Sequence, residues 1–191
     1  MTVAFSPHQG QFFQYRETTD LANGTGGYQG YTEHQDVSGA ENVTGVSGNI
    51  VSMNYRYSYY WSNSSGSTLS GNRGGPYTFS DQTFLYVNGT DSESSFGGLA
   101  YVNPSVWFAM NNSLPVGANF TLLNTGMTIR SVNYPFYLPP DNKYVTTIFA
   151  QGSGSYLRND IYGQFNAAYT WYAWYDPSTG FIVGYTYLER D

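Results

Sequence analysis

The chain has no cysteine, which excludes a disulfide framework and any thiolate metal or redox site. Lysine occurs once, at Lys143, and Lys and Arg together supply 7 of 191 residues. A surface that neutralises a run of phosphates is therefore missing, the formal charge is −6, and nucleic acid is excluded as an expected partner. Charged residues make up 10% of the chain, against about a quarter in an ordinary globular protein. No apolar run approaches the roughly 18 residues a membrane helix needs, so no membrane span is expected. The opening MTVAFSPHQG has neither the basic nor the apolar segment of a secretory leader; Met1 is expected to be an initiator placed ahead of a trimmed leader or anchor.

What fills the space is aromatic and small-polar. Aromatic residues reach 19%, with 20 Tyr and 22 Gly, and such ring content argues for a folded body, because disordered chains are poor in aromatics. The length predicts a single domain over residues 1–191 with a sizeable core. The scarcity of ionisable groups leaves few that change state in acid, so tolerance of low pH is expected.

The clearest element is GNIVSMNYRYSYYW, where Val51, Met53, Tyr55, Tyr57, Tyr59 and Trp61 alternate with Ser52, Asn54, Arg56, Ser58 and Tyr60. Period two over that length predicts a strand with one apolar face. Further strands are expected over 10–18, 76–87, 119–124, 127–134 and 144–150, each bounded by Gly, Pro, Asn or Asp and rich in β-branched or aromatic residues. In VNPSVWFAMNN, Asn103 suits an N-cap and Pro104 the first helical position, so one short helix ending at Asn111–Asn112 is expected. Residues 154–165, GSYLRNDIYGQF, fit a helical turn or a strand equally. The Gly-rich segment 20–48 lacks periodicity and is expected to be a loop region, with Tyr28 and Tyr31 packing back on the sheet. The fold class is thus all-β with one short helix: an antiparallel curved sheet, half-barrel or sandwich.

Near the C-terminus, YTWYAWYDPSTGFIVGYTYLERD reads as a hairpin. Asp176 can accept bonds from the following backbone N–H groups, Pro177 pre-sets φ, and Gly180 supplies the positive φ that closes a type I turn with a bulge. Tyr169, Trp171, Ala173 and Tyr175 then share one face and Thr170, Tyr172 and Trp174 the other. Both faces are aromatic, so one is core and the other is either core or a contact surface. The stretch WYDPSTGFIVGYTY resembles the closing hairpin of curved antiparallel sheets in the LolA/LolB-like lipoprotein-carrier superfamily and in tethered ectodomains of archaeal surface proteins. That resemblance covers about 20 residues and implies a concave sheet that cradles an apolar ligand or is covered by a short helix such as NPSVWFAMNN.

Sequons occur at Asn23, Asn42, Asn63, Asn88, Asn111 and Asn119, about twice what composition alone supplies, and they fall in Gly/Ser/Asn-rich turn phrases. Together with the absence of Cys and the near-absence of Lys they predict an extracellular or cell-surface glycoprotein. Chemistry-bearing motifs are scarce. Only His8 and His34 could serve as neutral bases, and no nucleophile elbow, phosphate loop or zinc motif is present. Glu33, His34 and Asp36 lie close in sequence, but alternation points Glu33 away from His34. Asp91 and Glu93 offer too few oxygens for calcium. No metal or cofactor is expected. A glycan hydrolase would need two facing carboxyls, for which Glu17, Asp20, Glu33, Asp36, Asp81, Asp141, Asp160 and Glu189 are the candidates, Asp160 beside Arg158 foremost.

The leading expectation is a non-enzymatic secreted or surface-anchored domain for surface assembly, adhesion or ligand binding, which contacts a protein or glycan through Tyr57, Tyr59, Trp61, Tyr172 and Trp174; self-association is a further expectation. A second is a carrier of an apolar small molecule in a cavity lined by Val51, Met53, Trp107, Phe108 and Phe149. A glycan-acting hydrolase is third.

Overall fold

The structure is a computed structural model that describes residues 5–22, 30, 32–89, 106, 108–123, 125–138, 141–160 and 163–190. Ten strands follow one another: β1 (Phe12–Ala22), β2 (Thr32–Ser47), β3 (Ile50–Asn63), β4 (Thr68–Ser80), β5 (Tyr86–Asn88), β6 (Asn119–Leu122), β7 (Thr125–Leu138), β8 (Lys143–Asp160), β9 (Gly163–Tyr175) and β10 (Ile182–Arg190). They form two five-stranded sheets, ordered β1-β2-β3-β4-β5 and β10-β9-β8-β7-β6. Within each sheet, sequence neighbours are thus sheet neighbours, and every strand pair whose register is described is antiparallel. The all-β class is as expected.

The single domain expected over 1–191 is built as two compact units. An N-terminal unit takes in Pro7–Thr78 and Val87–Glu93; a C-terminal unit takes in Met1–Ser6, Phe79–Tyr86 and Ser94–Asp191. In the first, Val37, Val43, Val51, Met53, Tyr55 and Tyr77 are buried. β3 realises its period-two pattern: Val51, Met53 and Tyr55 point inward, while Asn54, Arg56, Ser58 and Tyr60 are exposed. In the second, Met127, Ile129, Ile148, Ala150, Trp171, Ala173 and Tyr175 form the core from the alternate positions of β7, β8 and β9.

Three expectations are corrected. In the segment 20–48, expected as a loop region, most of the described residues are strand: β1 runs to Ala22, and residues 32–47 form β2, a 16-residue strand. Its inward positions are Val37, Gly39, Glu41 and Val43, so glycine and a carboxylic acid stand where alternation would show apolar side chains. Tyr28 and Tyr31 lie outside the described residues. The stretch 76–87, read as one strand, is two: β4 ends at Ser80 and a turn over 81–83 leads to β5. Ser80 Oγ accepts from the N–H groups of Gln82 and Thr83 at 3.3 Å each, a local competitor that ends the strand.

The expected helix at 103–112 does not form in its described part. Ile182 N donates to Phe108 O at 2.7 Å and Met110 N to Gly180 O at 3.0 Å, so this segment pairs as a β-bridge, Ala109 to Phe181, beside the hairpin. Asn103, Pro104 and Trp107 lie outside the described residues. Phe108, Ala109 and Met110 are all buried. A cap and a proline specify only a helix start, and pairing that buries three successive side chains outweighs that local signal.

The C-terminal hairpin forms as its residues dictate. Asp176 Oδ1 accepts from Ser178 N at 2.7 Å and Thr179 N at 2.9 Å, and Gly180 sits at φ +75° and donates its N–H to Asp176 O at 2.8 Å. Asp176 N donates to Phe181 O at 2.8 Å, which leaves Gly180 as the extra residue of the expected bulge, and a separate slip in register falls between Ile182 and Gly184. Burial pushes the Asp176 carboxyl up, but the bonds from Ser178 and Thr179 outweigh it and hold the group below the ordinary carboxylate value. Asn112 Nδ2 clamps the same turn, donating to Pro177 O at 2.9 Å.

Tyr175, at the end of β9, is fully buried and edge-on to Phe120, with ring centroids 5.9 Å apart, yet its hydroxyl has no hydrogen-bond partner among the described residues. Burial pushes the phenol far up. An orphaned hydroxyl costs about 1–3 kcal/mol, comparable to what burying the ring contributes. Tyr175→Phe is therefore expected to raise the unfolding free energy by about 1 kcal/mol in urea titrations; a lower midpoint would show that the hydroxyl is satisfied.

Candidate functional site

Of the five aromatic residues expected to make contacts, Tyr57, Tyr59 and Trp61 stand on one face of β3 in the N-terminal unit. All three are half-buried. They continue the row begun in the core: ring centroids are 6.1 Å apart from Tyr55 to Tyr57, stacked at 20°, and 6.2 Å from Tyr57 to Tyr59. Glycine makes room for Tyr59 in this row and for Tyr15 on β1. A β-carbon on Gly71 of β4 would lie 2.7 Å from the Tyr59 hydroxyl oxygen, and one on Gly39 of β2 would collide with the Tyr15 ring. Gly39 is directly opposite both Tyr15 and Tyr57. Tyr59 thus lies over the backbone of β4 at Gly71, and part of each ring in the row stays uncovered.

Tyr172 and Trp174 stand on β9 in the C-terminal unit, on the face away from Trp171, Ala173 and Tyr175. They too are half-buried, by other rings. Phe149 stacks on Tyr172 at 6.3 Å and 5° and on Trp174 at 5.4 Å and 20°, Tyr134 meets Phe149 at 4.8 Å, and Phe136 meets Trp174 at 4.9 Å. Phe136 reaches further still, since a β-carbon on Gly184 of β10 would lie 2.6 Å from its Cζ. In a flat sheet β7 and β10 would be about 14 Å apart, more than twice the reach of the side chain. This sheet is curled, and the register slips at Ile129, Ser131 and Tyr134 supply the bend. The Trp174 indole N–H, without a partner among the described residues, lies within this ring cluster.

The residues named for a carrier cavity fall in both units. Val51 and Met53 are buried in the N-terminal unit. Phe108 packs with Phe79 and Phe181, whereas Phe149 belongs to the Trp174 cluster; Trp107 lies outside the described residues. Among the sequons, Asn42, Asn88 and Asn119 are exposed. Asn63 and Asn111 are half-buried and use Oδ1 to accept from the N–H groups of Ser65 and Ser67 and of Ser113. Asn23, Asp91 and Glu93 lie outside the described residues. Asp160 and Arg158 end β8, where the backbone alone is described.

Two polar groupings escaped the sequence reading. Glu41 is fully buried on the inward face of β2 and receives the Tyr77 hydroxyl. Its alternation with Val37, Gly39 and Val43 is the signal that places it there. On the outer face, Asp20 is opposite His34 across the β1–β2 pair. His34 Nδ1 is 2.7 Å from Asp20 Oδ1 and Nε2 is 3.2 Å from Asp36 Oδ2. Asp36 also accepts from Thr18 Oγ1 at 2.8 Å and Arg16 at 3.3 Å. Hydrogen bonds to Asp20 and Asp36 hold the His34 imidazole above its ordinary value, and those from Thr18 and His34 hold the Asp36 carboxyl below its own. A depressed carboxyl is the opposite of the raised general acid a glycan hydrolase requires. Among the described residues no group of three or more His, Asp or Glu is arranged to hold a metal ion.

No protein-family model, curated protein or solved structure matches this chain.

The curl in the C-terminal sheet predicts a specific sensitivity. Gly184→Val puts a branched side chain where Phe136 lies and is expected to lower the unfolding free energy by about 1–3 kcal/mol and to red-shift Trp174 fluorescence. An unchanged stability and spectrum would mean that Phe136 does not close over β10.

Proposed function

We propose that this chain is a non-enzymatic binding domain of a secreted or surface-anchored glycoprotein, which holds a partner against flat aromatic rings and carries out no bond chemistry. The observation that carries this reading is the half-buried row Tyr57, Tyr59 and Trp61 on one face of β3, in which Tyr57 and Tyr59 are 6.2 Å apart and Tyr59 is laid over Gly71. Rings fixed by packing lose little side-chain entropy on contact, and Tyr and Trp are enriched where few residues supply most of the binding energy. Flat rings also match the apolar faces of sugar rings. With a formal charge of −6 and 10% charged residues, the chain favours neutral glycans over sulfated or phosphorylated ones. Exposure of Asn42, Asn88 and Asn119 supports the glycoprotein part of the reading.

The test is retention on arrays of immobilised neutral and acidic glycans. Binding to a neutral class is expected, and Tyr59→Ala with Trp61→Ala should weaken it at least tenfold, the loss of about 1.4 kcal/mol or more that a central aromatic contact carries. Binding that survives both substitutions, or retention confined to anionic glycans, would overturn the proposal.

A further inference from the structure

β1 is the edge strand of its sheet, paired along one side to β2. Edge strands have half the ladder bonds of central ones and open first. The outer half of this pair carries an unusual cross-strand grouping. Asp20, Thr18 and Arg16 lie along the outer face of β1, and His34, Asp36 and Ser38 are their directly opposed partners on β2. On the far side of β2, β3 contributes Ser62 opposite His34, Tyr60 opposite Asp36, and Arg56 further along the same face. The imidazole is the one titratable group near neutrality in the set, and it touches a carboxylate through each nitrogen.

That geometry has a protonation requirement. A carboxylate is an acceptor only, so both contacts of His34 are hydrogen bonds when both ring nitrogens carry a proton. A neutral imidazole has one N–H and one lone pair. Loss of the proton therefore turns one contact, at 2.7 or 3.2 Å, into a lone pair facing a carboxylate oxygen, and it removes the positive charge between Asp20 and Asp36. Asp36 keeps Thr18 and Arg16 as donors. Asp20, on the edge strand, is tied to β2 through His34.

We propose that His34 is a proton-operated latch that fastens the outer end of β1 to β2 in mild acid and releases it above neutrality. The sign follows from linkage. A histidine held above its ordinary 6.5 adds stability that is complete below that value and is lost as pH rises through the raised one. Asp36, held below the ordinary 3.8, adds stability that persists above that value and fails only as pH falls through the lowered one. The latch is closed between the two. This gives the edge strand its greatest hold in acid, where most charge-stabilised proteins lose theirs.

The experiment is amide hydrogen exchange on the whole chain at pH 5 and pH 8, corrected for the intrinsic rate. Protection of the 18–22 amides is expected to fall about two- to fivefold at the higher pH, the scale of an exposed ion pair. His34→Gln should abolish that pH dependence, and His8→Gln should leave it intact. Equal pH dependence in His34→Gln, or constant protection in the unaltered chain, would overturn the latch. The chain has two histidines, so His8→Gln also leaves His34 as a lone NMR reporter. Its midpoint is expected above 6.5 and should drop in Asp20→Asn; a midpoint at or below 6.5 contradicts the proposal.

Discussion

Aromatic rings laid across glycines of neighbouring strands are the contact on which this architecture depends. Tyr15 covers Gly39, Tyr59 covers Gly71 and Tyr169 covers Gly154 from the adjacent strand, and Phe136 covers Gly184 from three strands away across the curled sheet. The Tyr15 and Tyr169 pairs are directly opposed in register. A glycine inside a strand is a liability, because it loses the most backbone freedom on folding and offers no side chain to pack. A ring from the next strand supplies the missing contact and shields the ladder beneath. Each cross-strand pair is worth about 0.2–1 kcal/mol, and the contacts recur in both sheets. The arrangement explains how a chain with 10% charged residues and strands of up to 18 residues is held without salt bridges or disulfides as its main ties.

The same contact decided what could be read in the sequence. β3 was legible because its own side chains fill its inward face, giving an unbroken alternation from Val51 to Trp61. The closing hairpin was legible because Asp176, Pro177 and Gly180 act on their own neighbours. β2 was not, because the volume above Gly39 comes from Tyr15 on another strand and because Glu41 occupies an inward position that polarity assigns to the surface. The segment around Phe108 misled for the reverse reason: Asn103 and Pro104 are a local signal, and the bridge to Phe181 is not local.

The contact residues divide similarly. Tyr57, Tyr59 and Trp61 follow from period two alone, and so does the separation of Tyr172 and Trp174 from the core side of β9. The rings around Trp174 do not follow, since Phe136 reaches it only through the bulged path of β7 and the curl of the sheet. Nor does the His34 grouping, which needs the register that sets Asp20 opposite. A body assembled this way keeps its ionic groups few, with Glu41 on an inward face and the His34 grouping on an outer one, while rings such as Tyr57, Tyr59 and Trp61 remain partly open.

The central claim is tested most directly by the proton chemical shifts of the glycine α-positions. A ring lying flat over a glycine shifts those protons upfield. Gly39, Gly71, Gly154 and Gly184 are expected to resonate far upfield of Gly45 and Gly126, which have open space where a side chain would be. Ordinary shifts at all six would contradict the account.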